Sequence, residues 1–137
     1  MTLSGKKALV TGAAGGIGQA IVKALTDAGA AIAATDFQVE DIPCNAAIPG
    51  DLTDPAHCDA LPAKAHEALG GLDIVINNAG VIRRGVITDS TDDDYVQSMA
   101  VNVEAPFRIC RAAIPILAAN GGGAIVNVSS CWGVRPG

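Results

Sequence analysis

Ala8-Leu-Val-Thr-Gly-Ala-Ala-Gly-Gly-Ile-Gly18 is the stretch whose reading decides the fold. Ala8, Leu9 and Val10 form a short apolar run of the kind that makes a buried strand. Gly12 to Gly18 make a glycine-rich turn, and Ile17, Ala20, Ile21, Ala24 and Leu25 recur at helical spacing. The stretch therefore predicts strand, tight turn and helix in succession. Glycine serves such a turn because it reaches backbone angles closed to other residues, and because a Cβ would hold a phosphate away from the amides. The uncapped N–H groups of the first helical turn and the positive end of the helix dipole would then face an anion. The spacing satisfies Thr-Gly-x-x-x-Gly-x-Gly through Gly12, Gly16 and Gly18, and equally Gly-x-x-Gly-x-x-Gly through Gly12, Gly15 and Gly18. The loop alone leaves both patterns open, as well as a glycine turn with no ligand.

The rest of the composition narrows the class. A chain of 137 residues, half of them apolar, is one domain's worth and can bury a core. A net charge of -5 with no Lys/Arg cluster argues against nucleic acid or an anionic membrane as partner. Polar residues interrupt every apolar run short of a membrane span, and Lys6 and Lys7 lead into a strand rather than a signal sequence, so a cytoplasmic chain is expected. Cys44, Cys58, Cys110 and Cys131 show no Cys-x-x-Cys pairing, and the two histidines are not at ligand spacing from them. Structural thiols and no metal site are the expectation. His57 and His66 fall in a polar helical segment, where exposed side chains are expected.

Beyond the first helix, Ala31 to Thr35 reads as a second small apolar strand with Asp36 at its end. Asp36 lies eighteen residues past Gly18, close to the roughly twenty at which an acid in such a motif meets the adenosine ribose hydroxyls. A carboxylate there accepts from both hydroxyls and repels a 2'-phosphate. Gly15 and Phe37 occupy the positions where a basic residue would favour the phosphate, so NAD rather than NADP is predicted. The alternative for Asp36 is the N-cap of a following short helix.

Residues 45–50 form a weak strand that Pro49 demotes to an edge. Asp54-Pro55 starts a helix toward Gly70, with a kink or late start predicted at Pro62. Asp73 to Asn77 is a continuous apolar strand suited to a parallel sheet covered on both faces. Thr91 caps a long helical segment that must become irregular at Asn102, and Ala124 to Val128 is a fifth strand delivering Ser129 and Ser130. The alternation predicts an α/β, Rossmann-like doubly wound parallel sheet over residues 1–137 with no internal boundary.

Four separated motifs now agree: Thr11-Gly-Ala-Ala-Gly-Gly-Ile-Gly18, Asp51-Leu52, Asn77-Asn-Ala-Gly80, and Ile125-Val-Asn-Val-Ser-Ser130, with Asn102 between the last two. In this ordered set the chain resembles the short-chain dehydrogenases/reductases, of the smaller single-domain type, along essentially its whole length. The resemblance implies that Gly12, Gly16, Ile17 and Gly18 form a pyrophosphate turn and that Asp36 holds the ribose. It further implies that Asp51 and Leu52 contact adenine and that Asn78, Ala79 and Gly80 line the cofactor, while Asn77 stabilises the central strands. Ser130 matches the family's catalytic serine, and Asn102 its helix-interrupting asparagine, which frees a backbone carbonyl for a proton relay. The bland readings are strand-closing Asn and Gly residues, a strand-end turn serine and a locally satisfied buried amide.

The family's general acid/base is a tyrosine with a lysine four residues later, about a dozen residues beyond the serine. No Tyr-x-x-x-Lys occurs in these 137 residues; Tyr95 is followed four positions later by Met99 and precedes Asn102. That lysine helps draw the tyrosine from a pKa near 10 toward neutrality, and loss of such acid/base catalysis costs about a hundred- to ten-thousand-fold in rate. The expectation is an amino-terminal part of a longer enzyme, ending after the fifth strand of a 3-2-1-4-5-6 sheet and inactive alone. Cys131 to Gly137 would begin the substrate loop. The intact protein would be an NAD-dependent oxidoreductase of a secondary alcohol or ketone (a polyol, sugar or hydroxysteroid-like substrate) and a homotetramer. The rival expectation is a non-catalytic dinucleotide-binding or interaction module complete as written.

Overall fold

The computed structural model of the chain describes residues 2–131. Five parallel strands form one sheet: β1 (Lys7–Thr11), β2 (Ala31–Thr35), β3 (Ala46–Ala47), β4 (Ile74–Asn77) and β5 (Ala124–Asn127), in the order β3-β2-β1-β4-β5. β1 is central, with Leu9 opposite Ala33 on one side and Val75 on the other. Its residues Ala8, Leu9 and Val10 are wholly buried, which is why the strand reads as an unbroken apolar run rather than an alternating one.

Helices cover both faces. α1 (Gly16–Asp27) lies over Ala8, Val10, Ile32, Ala34 and Ile76, its Val22 buried among them. α2 (Pro55–Leu69) and α4 (Ala105–Ala119) cover the other face, where Leu61, Ala65, Ile109, Ala113 and Leu117 pack with Leu9, Ala33 and Val75. Because successive side chains on a strand point to opposite faces, Leu9 serves one core and its two neighbours serve the other.

Local chemistry sets the ends of these elements. Asp54 accepts from Ala56 N at 2.9 Å at the start of α2, and Gly70 closes it in the left-handed region at φ 67°. α2 runs unbroken through Pro62, so the late start expected as one alternative is absent, and Pro62 is fully buried. α3 (Asp92–Met99) opens with a capping box, Thr91 Oγ1 accepting from Asp94 N while Asp94 Oδ2 accepts from Thr91 N, each at 3.1 Å. Between α3 and α4 the chain widens into one π-helical turn, Ala100–Glu104, with Asn102 at its centre. The irregularity predicted there is present.

Candidate functional site

The strand order reverses between β1 and β4. Beyond the carboxyl ends of these two strands lies a cleft of about 880 Å³, which is where open α/β sheets take their ligands. Gly12, Gly16, Ile17, Gly18, Asp36, Asp51, Leu52, Asn78, Ala79 and Gly80 all contribute to its walls. Residues spread over sixty-nine positions of sequence thus meet at one opening.

The glycine turn is crowded behind and open in front. A Cβ on Gly18 would come within 2.0 Å of Gly12 O, and one on Gly12, whose φ is +63°, within 2.7 Å of Ala79 Cα. A Cβ on Gly16 would meet nothing within 4 Å. Gly15, the N-cap of α1, supplies no side-chain cap, and no acid occupies the first turn. Gln19 N, bonded to Gly15 O at 2.8 Å, begins the helical ladder. The amides of the first turn are therefore available to an anion from the cleft side.

Thr11, which sequence reading passed over as a site residue, joins this turn to the next strand. Its Oγ1 accepts from Asn78 N at 3.1 Å and Ala79 N at 3.0 Å. Asn78 returns the contact, its Nδ2 donating to Thr11 O and Gly12 O, each at 3.1 Å. Asn77 turns away from the cleft and donates to Asn127 Oδ1 at 2.8 Å, linking β4 to β5. A threonine ending an apolar run just before the first glycine is the signal that marks the joint.

At the far end, Asp36 Oδ2 accepts from Ala14 N at 2.9 Å and Oδ1 from Phe37 N at 2.8 Å. No helix starts after Asp36, so the N-cap alternative is discarded. Asp51 Oδ1 accepts from Thr53 N at 2.8 Å, folding the Asp51 to Thr53 segment into a tight turn on the cleft wall. The charged lining is three acids, Asp36, Asp51 and Asp93, with Arg83 as the cation. Arg83 is itself engaged by Asp94, 3.6 Å from its Nε, and by Gln97. Attraction for an anion at the glycine turn therefore comes from backbone amides and the α1 dipole rather than from side-chain charge.

Asn102 and Ser130 stand differently. Asn102 is one residue behind the wall: Val81, which lines the cleft, is bonded to the Asn102 side chain through both N and O. Ser130 is exposed past the end of β5 and is not part of the wall. The expected substrate loop, apart from Cys131, lies outside the described residues. His57 contradicts the expectation of exposure: only 9% of its surface is accessible, whereas His66 is exposed as expected. The first turn of α2 lies against the sheet, so position 57 faces inward. Among the described residues no group of three His, Cys, Asp or Glu is placed to hold a metal, and no helix is long and apolar enough to cross a membrane.

A doubly wound parallel sheet with a glycine turn at its switch point defines a nucleotide-binding α/β protein. The family model for short chain dehydrogenase matches residues 6–137. The chain is 37% identical over 139 residues to D-threitol dehydrogenase of Mycolicibacterium smegmatis, covering 93% of this chain and 54% of that protein. It is 35% identical over 144 residues to sorbitol dehydrogenase of Cereibacter sphaeroides, covering 98% and 56%. Its fold superposes with a TM-score of 0.92 on a short chain dehydrogenase from Burkholderia cenocepacia solved in complex with NADP, at 36% identity, covering 100% of this chain and 60% of that one. The chain belongs to the short-chain dehydrogenase family, and it spans about half the length of the curated relatives it matches.

Proposed function

We propose that this chain forms the cofactor half of an NAD-dependent oxidoreductase that interconverts a secondary alcohol, of the polyol, sugar or hydroxysteroid-like class, and its ketone. The observation that carries the reading is the placement of Asp36 on the same cleft as the open face of Gly16. The first-turn amides beside Gly16 suit a pyrophosphate, and the Asp36 carboxylate suits two ribose hydroxyls while opposing a 2'-phosphate. A structural relative at 36% identity was solved in complex with NADP, so the preference for NAD rests here on Asp36, Phe37 and Gly15 alone. Names of relatives that act on threitol and sorbitol support a polyhydroxylated substrate.

The chemistry such a cofactor supplies is hydride exchange at the nicotinamide ring. In this reading Gly12, Gly16, Ile17 and Gly18 bind its phosphates, while Asp51 and Leu52 receive the adenine. Asn78, Ala79 and Gly80 line the path toward the reacting end. The Ser130 hydroxyl donates to the substrate oxygen as negative charge develops there, and the backbone carbonyl of Asn102 holds a proton-relay water. A tyrosine general acid/base with its lysine would be supplied from outside these 137 residues, and without them turnover is expected to be absent. The complete protein is expected to be a cytoplasmic homotetramer.

Calorimetric titration of the full-length protein with NAD and NADP tests the reading. NAD should bind tighter by about ten-fold or more, since a like charge set against the Asp36 carboxylate is strongly unfavourable. Asp36→Ser should erase most of that gap. Equal or tighter binding of NADP by the native protein overturns the NAD assignment, and absence of NAD-linked alcohol oxidation in the full-length protein overturns the activity.

A further inference from the structure

His57 is a buried titratable group that no step above uses. It sits in the first turn of α2, behind the wall formed by Gly50 to Thr53. Its Nε2 lies 3.5 Å from Thr35 Oγ1, and Thr35, the last residue of β2, is wholly buried. A Cβ built on Gly50 would fall 2.1 to 2.5 Å from three atoms of the imidazole, so the ring lies directly on the Gly50 backbone. Gly50 N in turn donates to Asp36 O at 3.0 Å. One ring therefore touches both the strand end that leads into Asp36 and the residue that leads into Asp51.

We propose that His57 is a positioning residue for the adenosine end of the cleft: its ring, wedged between Thr35 and Gly50, sets the spacing between Asp36 and the Asp51-Leu52 segment. The proposal rests on the NAD-binding reading above. Its physical basis is that a planar group of fixed size fills the gap while sharing a hydrogen bond with an otherwise enclosed hydroxyl. Glycine at position 50 is what lets the ring approach that closely.

The charge state of the ring matters because the site is enclosed. Burial holds the imidazole pKa below its usual value, and Lys64 on α2 acts in the same direction, while Asp54 and Asp51 from the preceding segment oppose them. From β2 the ring meets the Thr35 hydroxyl, which carries no charge. A proton on the ring adds a charge to a site where the cost of burial and the repulsion of Lys64 outweigh the pull of Asp54 and Asp51, and favours its expulsion toward water, carrying the Gly50 segment with it. Affinity for NAD should accordingly fall as the pH drops below the usual histidine range.

The test is NAD affinity of the full-length native protein, G50A, G50A/H57A and H57Q between about pH 4.5 and 8, with thermal unfolding recorded for each. At high pH, G50A should weaken NAD by about ten-fold, and removing the ring in G50A/H57A should recover a large part of that loss. H57Q, which keeps a hydrogen-bonding group but does not titrate, should stay within about three-fold of native at pH 8 and lose the decline at low pH. If G50A does not fold, the native and H57Q profiles decide. Identical pH profiles for native and H57Q, or a double variant no better than a folded G50A, overturn the proposal while native NAD binding stands. Failure of the native protein to bind NAD at all removes the underlying reading and this proposal together.

Discussion

The Asn102 carboxamide clasps the Val81 backbone with both of its polar atoms: Oδ1 accepts from Val81 N at 2.8 Å and Nδ2 donates to Val81 O at 2.9 Å. This pair ties the loop that leaves β4 to the π-helical turn between α3 and α4. Val81 is part of the cleft wall, so the contact carries the position of the helix into the site.

Asn102→Ala removes both bonds at once and leaves Val81 N and O to solvent. The expected cost is about 1 to 2 kcal/mol in denaturant unfolding, the contribution of roughly two hydrogen bonds at a solvent-accessible position. Asn102→Asp keeps the acceptor but sets a carboxylate against Val81 O. It should destabilise to a similar extent, and NAD affinity should fall in both variants.

Gly18→Ala and Gly16→Ala separate fold from binding. The first drives a Cβ to 2.0 Å from Gly12 O and should lower unfolding stability by about 1 to 3 kcal/mol through overpacking. The second meets no protein atom within 4 Å and should leave stability nearly unchanged. Its effect should appear in NAD titration, as a loss on the order of ten-fold from a phosphate held off a backbone amide. Equal unfolding midpoints for the two variants would contradict this account.

Asp73 holds the start of β1, accepting from Lys6 Nζ and Lys7 N at 3.0 Å each. Burial alone would raise its pKa, but the Lys6 ammonium, the Lys7 N–H and the charges of both lysines outweigh it and hold the carboxyl below its usual value. The ionised form is thus favoured by folding. Its stabilisation is present above the unfolded value and disappears as the pH falls through the lower folded one. Asp73→Asn should cost about 1 kcal/mol at neutral pH, and the gap from native should narrow as the pH falls below about 4, the ordinary aspartate value. Thermal unfolding across that range reads it directly.

Thiol reactivity should divide the cysteines. Burial pushes the Cys58 thiol up to about 11, with Asp54, Asp59 and Glu104 acting the same way against Arg108. Burial likewise raises that of Cys44, whereas Cys131 is exposed. Alkylation at about pH 8 followed by mass spectrometry should label Cys131 first and Cys58 only on unfolding. Early modification of Cys58 in the native protein would show that the first turn of α2 opens readily.

Local pattern was enough for every strand of the sheet. The runs around Leu9, Ile32 and Val75 are short, apolar and bounded by glycine or charge, and such runs have few stable arrangements other than a covered parallel sheet. The break at Asn102 was equally legible, because a polar residue and Pro106 interrupt an apolar helical face. The late start considered at Pro62 is absent, since a proline's missing N–H is a local penalty whereas the burial of its ring is a gain that depends on residues distant in sequence.

His57 was misread for the same reason. The polar residues around it describe the average environment of a segment, not which side of one helical turn meets Thr35 and Gly50. What the sequence by itself determined was the order of elements and the glycine turn, because each depends on spacing within a single strand, turn or helix. Only the tertiary structure decided that Thr11 locks the turn to β4, that Asn102 clasps Val81 and that His57 lies beneath Asp36 and Asp51. Those contacts join different elements of the fold, and they form only once burial of the two cores has brought β1, β2 and β4 side by side.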